Sequence, residues 1–273
     1  ASSAASDVYK RQFFIAVLKM GVGSAAAATI ISQYISAGLC LYLLLTTTGT
    51  HRIILSKIKI HKEYLGEILK YGLPSGFQNS IIGLANVVVQ SNINSFGDMA
   101  MAGCGAYSKI EGFAFLPITS FTMALTTFVG QNLGARQYDR VLKGAKFGMM
   151  CSMTLAEIIG VIIFVFGSQF IAAFDATPEV IQFGTLRGQT SAFFFCLLAY
   201  SHCVSAILRG AGKSMVPMIV MMVCWCFVRV AGLTIMGMLI HNIWCVYWIY
   251  PITWSLSSIT FFIYYHKVDW LHA

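Results

Sequence analysis

From about residue 24 onward, apolar stretches recur with short polar connections between them. Each is close to the roughly 20 residues that a helix needs to cross a bilayer core. A chain built this way cannot be a water-soluble globule. Charged residues make up 10% of it and hydrophobic ones 58%, against about 25% charged in ordinary soluble domains. The pattern predicts an all-α polytopic membrane protein with about seven membrane helices, near 24–48, 72–96, 103–131, 145–167, 180–207, 216–240 and 244–265. The 20 Phe and 24 Gly suit that class, since glycine lets membrane helices approach closely.

The connections differ in charge. Arg52, Lys57, Lys59, Lys62 and Lys70 separate the first two spans, Arg136, Arg140, Lys143 and Lys146 the third and fourth, and Arg209 and Lys213 the fifth and sixth, while Lys267 follows the last. The alternate connections, near 97–102, 168–179 and 241–243, hold no Lys or Arg. Positive charge marks the cytoplasmic side, so the basic connections and the C-terminus are expected there, in a multi-pass protein of the cytoplasmic membrane, the inner membrane of a bacterium. Lys19 is the one discordant charge. Trp244, Tyr247, Trp248 and Tyr250 read as anchors at the outer end of the last span, and Tyr264, Tyr265 and Trp270 at its inner end. Thr177, Pro178 and Glu179 read as a helix start, with a capping hydroxyl, proline in the first turn and an acid at the positive end of the dipole.

The net charge of +8 does not point to nucleic acid, because the basic residues lie in loops between apolar spans and form no single water-facing surface. The eight cysteines lie within or at the ends of apolar spans, without C-x-x-C pairing, and read as small apolar residues; no metal or cofactor is expected. The chain begins at Ala1, and residues 1–12 read as a non-native or truncated leader with no secretory pattern. Phe13–Leu18 is too short to span and reads as the end of a truncated helix.

Several short motifs, in order, resemble the multidrug and toxic compound extrusion (MATE) transporters. Gly130-Gln131-Asn132-Leu133-Gly134-Ala135 is similar to a cytoplasmic loop motif of that family, and Leu208-Arg209-Gly210-Ala211-Gly212 with Pro217 to another. Gly72–Gln78 and Ile93–Gly97 resemble the two ends of its seventh helix, and Arg229 matches an arginine of its eleventh. The resemblance implies twelve helices in two lobes around a cavity, of which this chain holds helix six and the complete second lobe. On that frame, residues 13–48 are a remnant of the first lobe, 49–71 the basic interlobe connection, 72–265 the second lobe and 266–273 a cytoplasmic tail. The partners implied are the lipid bilayer, small organic and often cationic substrates, and the N-terminal lobe of the same protein.

Polar side chains inside spans are costly and usually face a cavity or a partner helix. Gln78, Asn86, Gln90 and Asn94 fall on one helical face. They read either as a substrate-cavity lining or as interhelical amide packing, and the resemblance favours the cavity. Gly144, Gly148, Ser152, Ala156 and Gly160 recur every four residues, a strip for close packing. His202 reads as a packing residue in preference to a proton relay. Lys109, Glu111, Glu157, Arg187 and Arg229 all fall in the outer half of the membrane and are expected to form one network around a hydrated cavity, with Lys109 pairing with Glu157. Arg187 and Arg229 read as static ion-pair members or as substrate contacts. Glu111 and Glu157 are the candidate cation-coupling residues, Glu111 foremost. Pro117 lacks the amide that would bond the Phe113 carbonyl, leaving an oxygen that a hard cation favours.

The resemblance thus implies a secondary active exporter of organic compounds, coupled to sodium or proton influx by alternating access. A flippase for lipid-linked precursors or polysaccharides is the alternative, and it fits mixed charge less well than a strongly cationic cavity. An intramembrane enzyme is a distant alternative, since no H-E-x-x-H, nucleophile elbow or pair of facing aspartates occurs.

Overall fold

The computed structural model describes residues 22–49, 52–240 and 242–271, and the elements within them are helical. The leader and the proposed helix end at 13–18 lie outside the described residues. Backbone contacts divide the chain between Glu63 and Tyr64. The described part of the first unit holds helix α1 (Val22–Thr46) and a 3-10 turn at Leu55–Lys57. The Ile53 amide donates to the Leu44 carbonyl at 2.9 Å and Arg52 Nε to the Leu45 carbonyl at 3.2 Å.

The second unit begins in the first turn of α2 (Lys62–Asn94) and continues with α3 (Asp98–Gly134), α4 (Tyr138–Ala172), α5 (Pro178–Ala192), α6 (Phe195–Gly210), α7 (Met215–Leu239) and α8 (Ile243–Lys267). Each predicted span falls on helix. Among the described residues, α3, α4, α7 and α8 are long and apolar enough to cross a membrane, and α5 with α6 makes a fifth span if the bent pair is counted as one. Helix α2 has 33 residues but falls outside that set, because its first third is charged and the rest carries the amide stripe.

Two irregularities shape the unit. The predicted fifth span is broken by 59° between α5 and α6, where Phe193 and Phe194 leave helical geometry with no proline or glycine to announce it. Within α7, Met222–Val228 winds as a π-helix, a widening of the turn that is frequent at functional sites. The start of α5 also differs from expectation. Pro178 and Glu179 occupy the first turn as read, but the Thr177 hydroxyl does not cap it. Instead, the Asp175 carboxylate accepts from the Thr177 amide at 2.8 Å, and the hydrogen bonds from Thr177 hold this exposed acid below its usual range.

Helix α6 is the buried axis of the unit. Phe195, Leu198, Ala199, Cys203, Val204, Ala206, Ile207 and Leu208 are fully shielded, packed among α3, α4 and α8. Small residues let the neighbours come close, and the hydroxyls this brings inside satisfy one another. Ser201 Oγ lies 3.0 Å from Ser257 Oγ and 2.8 Å from Ser258 Oγ, and Ser258 Oγ donates to the Leu197 carbonyl. Such pairs are the usual polar links between membrane helices. Gly103 and Gly184 permit the contact of α3 with α5: a Cβ on Gly103 would stand 2.5 Å from the Val180 carbonyl oxygen.

Candidate functional site

The amide-bearing face of α2, together with α3, α5, α7 and α8, encloses a half-open cavity of about 300 Å³. Its charged wall is built from three helices. Glu111 on α3 faces Arg187 on α5, with Oε2 and Nη2 4.0 Å apart. Arg229 stands at the end of the π-helical turn of α7, donates from Nη2 to Thr253 Oγ1 at 2.8 Å and is 2% exposed. The Tyr250 ring on α8 receives both guanidiniums, with Arg229 Cζ 4.6 Å and Arg187 Cζ 5.0 Å from its centroid. Cation–π contact of this kind stabilises desolvated arginines. Tyr107 takes the other contact of Arg187 at 5.3 Å, and Trp225 that of Arg229 at 5.1 Å. Trp225 Nε1 in turn donates to Ser257 Oγ, which ties the π-segment to α8.

Of the predicted lining, Asn86 and Gln90 reach this cavity, as do Glu111, Arg187 and Arg229. Gln78 is buried away from it, and Asn94, the last residue of α2, accepts from Gln90 Nε2 at 2.8 Å and is not in the wall. The expected five-membered network is therefore corrected to three members. Lys109 projects from the exposed face of α3, and Glu157 stands in a separate groove on α4, where Oε2 accepts from the Cys196 amide at 3.0 Å. No Lys109–Glu157 ion pair occurs among the described residues. Glu157 therefore does not share the site of Glu111.

Two aromatic anchors are also reassigned. Trp244 and Trp248, four apart, are exposed as expected, but Tyr247 and Tyr250 lie on the opposite face. Tyr247 is fully buried and donates to the Phe183 carbonyl at 3.1 Å. The three-residue step from Tyr247 to Tyr250, continued to Trp254, was the available signal for an inward face. Just beyond the C-terminal end of α8, Trp270 is buried and stacks on Tyr265 at 5.1 Å. His202 packs edge-on to two cavity residues, Phe115 at 5.6 Å and Trp225 at 5.3 Å, without lining the cavity itself.

The two glycine-bearing loop motifs, Gly130–Ala135 and Leu208–Gly212, are far apart in sequence and converge in space. A Cβ on Gly130 would lie 3.4 Å from the Gly210 carbonyl oxygen, and one on Gly210 would meet the Thr126 carbonyl oxygen at 2.6 Å. Between α3 and α4 the chain reverses at Gly134, Ala135 and Arg136, whose φ of 56° is left-handed. The turn is closed by the Gln137 amide on the Asn132 carbonyl, while Asn132 Nδ2 donates to the Phe128 carbonyl and Gln131 projects outward. Gly212, with φ of 78°, makes the matching turn after α6, and Arg209 donates to Ser205 Oγ at 2.6 Å.

Apolar helices enclosing a cavity in which intramembrane charges gather define a multi-pass membrane protein of the transporter class. The family model of MatE matches residues 74–235. The chain belongs to the MatE family, whose members are transporters and not enzymes. It is 28% identical over 218 residues to the probable multidrug resistance protein YpnP of Bacillus subtilis, covering 79% of this chain and 48% of that protein. It is also 28% identical to the probable multidrug resistance protein NorM of Thermotoga maritima, covering 74% of this chain and 43% of that one. A solved outward-facing structure of a multidrug resistance MATE family transporter superposes with a TM-score of 0.85 at 20% identity, over 96% of this chain and 59% of that one. The chain thus spans about half the length of the relatives it matches.

Proposed function

We propose that this chain is the second lobe, with the end of the first, of a secondary active transporter that exports organic compounds in exchange for sodium or proton influx. Alternating access then comes from rocking of this lobe against an N-terminal one around the cavity. The observation that carries the reading is Glu111, the cavity's one carboxylate among the described lining residues, held beside Arg187 inside apolar helices. An intramembrane acid in a cavity is a default ion-coupling candidate, and a carboxylate can take either a proton or a hard cation. Asn86 and Gln90 supply neutral hydrogen-bonding groups toward an organic ligand. The names of the relatives favour drug export over the flippase alternative. The basic connections support a cytoplasmic C-terminus, and on this reading the protein belongs to a bacterial inner membrane.

The test is transport by the intact protein carrying this chain, reconstituted in vesicles under a sodium or proton gradient. Glu111→Gln is expected to abolish gradient-driven export while leaving insertion and substrate binding in place. Ion-coupled export at the unaltered rate would reject the coupling role.

A further inference from the structure

The lobe holds a second intramembrane acid that the central cavity does not use. Glu157 lies ten residues from the outer end of its predicted span, about 15 Å deep at 1.5 Å per residue. It opens into a groove of about 570 Å³ that is largely apolar, walled by Met153, Thr154, Ile158, Val161 and Ile162 of α4 and by Cys196 at the start of α6. That volume is within the usual range of small-molecule sites, about 300–1,000 Å³. The flanking α4 side chains Leu155, Ile158, Val161, Ile162 and Val165 are all exposed, as suits a surface that lipid covers. The Glu157 carboxylate uses Oε2 to accept the Cys196 amide, one of the amides freed by the break between α5 and α6. Among the described residues it has no ion-pair partner.

A carboxylate at this depth, in an apolar groove and without a counter-charge among the described residues, is complemented in both charge and surface by a cation whose charge is carried on an apolar body and which reaches the groove through the bilayer. The central cavity offers such a ligand a poorer reception, since two guanidiniums there face one carboxylate. We infer that the Glu157 groove on the outer face of α4 is a binding site for hydrophobic organic cations drawn from the membrane, separate from the central cavity. Met153, with its flexible and polarizable side chain, adapts the apolar wall to different bodies. The helix break serves the site in one respect: it aims Cys196 N–H at one carboxylate oxygen, which fixes the side chain in the groove.

An azide-bearing tetraphenylphosphonium photoprobe, added to the intact protein in lipid nanodiscs and mapped by mass spectrometry, tests this. Labelling is expected in 153–162 and 193–197. Competition by tetraphenylphosphonium should suppress it, and tetraphenylborate, of the same shape and opposite charge, should not. Glu157→Gln retains an oxygen that can accept the Cys196 amide, so a purely structural cap survives it, yet labelling should fall at least fivefold. Glu111→Gln should leave labelling of the groove intact, which separates this inference from the coupling role of Glu111. Undiminished labelling in Glu157→Gln, equal suppression by the borate, or labelling confined to the central cavity would overturn it.

Discussion

Arg187 Nη2 lies 4.0 Å from Glu111 Oε2, at the outer limit of an ion pair, with the side chains only 5% and 15% exposed. Removing one partner of a shielded pair leaves an uncompensated charge and costs about 3–5 kcal/mol where contact is close. The separation here points to the lower part of that range. Glu111→Gln and Arg187→Met should each lower the thermal midpoint in detergent. The double variant should lose less than the two combined, with a coupling energy of about 1 kcal/mol or more. Strictly additive losses would show that the pair does not interact.

Arg229 is more deeply shielded and depends on α8. Its Nη2 donates to Thr253 Oγ1, while its Nε has no acceptor among the described residues. The Thr253 hydroxyl can accept that bond because its own hydrogen goes to the Tyr250 carbonyl at 3.1 Å. Thr253→Val preserves shape and removes the acceptor, which should destabilise by about 1–3 kcal/mol. Thr253→Ser keeps the oxygen and should come close to the parent protein. Equal loss in both variants would assign the effect to packing of the methyl group instead.

The positions of the helices were legible because hydrophobic run length is a direct consequence of the bilayer, whereas the interruptions were not. Nothing in Phe193-Phe194 signals a break, and nothing in Met222–Val228 signals a π-turn, since both are set by packing against other helices. The same limit explains the site. Glu111, Arg187 and Arg229 could be picked out as intramembrane charges, but depth alone placed Lys109 and Glu157 with them. Depth does not report which way a side chain faces, and Lys109 and Glu157 turn away from the cavity. Tyr250 was hidden for another reason: near a span end, an inward tyrosine and an interfacial anchor have the same local sequence.

The packing strip on α4 gives a graded prediction. A Cβ on Gly160 would collide with the Ala192 carbonyl oxygen, which is backbone at the end of α5, and would also stand 3.1 Å from Phe195. On Gly144 the obstacle is the far end of the Phe128 ring, which can rotate, and a Cβ on Gly112 would meet no other part of the described residues within 4 Å. Gly160→Ala should therefore destabilise by about 1–3 kcal/mol through overpacking and should loosen the α4–α5 contact. Gly144→Ala should cost less. Gly112→Ala should be neutral or slightly stabilising, because alanine favours the helix by about 1 kcal/mol over glycine. The three midpoints measured side by side check the order, and a loss at Gly112 matching that at Gly160 would contradict the packing account.

Sidedness rests on charge and is open to a direct chemical test. The basic connections flank Ser56 and Gln137, and Ala176 belongs to a connection with no Lys or Arg. All three positions are exposed, so a thiol placed there would be reachable without unfolding. In the intact protein, with its native cysteines replaced and the protein inserted in sealed cells, a membrane-impermeant maleimide should label Ala176→Cys from outside. Ser56→Cys and Gln137→Cys should label only after the membrane is permeabilised. The contrast follows from the positive-inside rule alone and does not depend on family membership. The reverse pattern would invert the topology and place the shallow end of Glu157's groove on the cytoplasmic side. Labelling of Gln137→Cys and Ala176→Cys from the same side would mean that α4 does not cross the membrane.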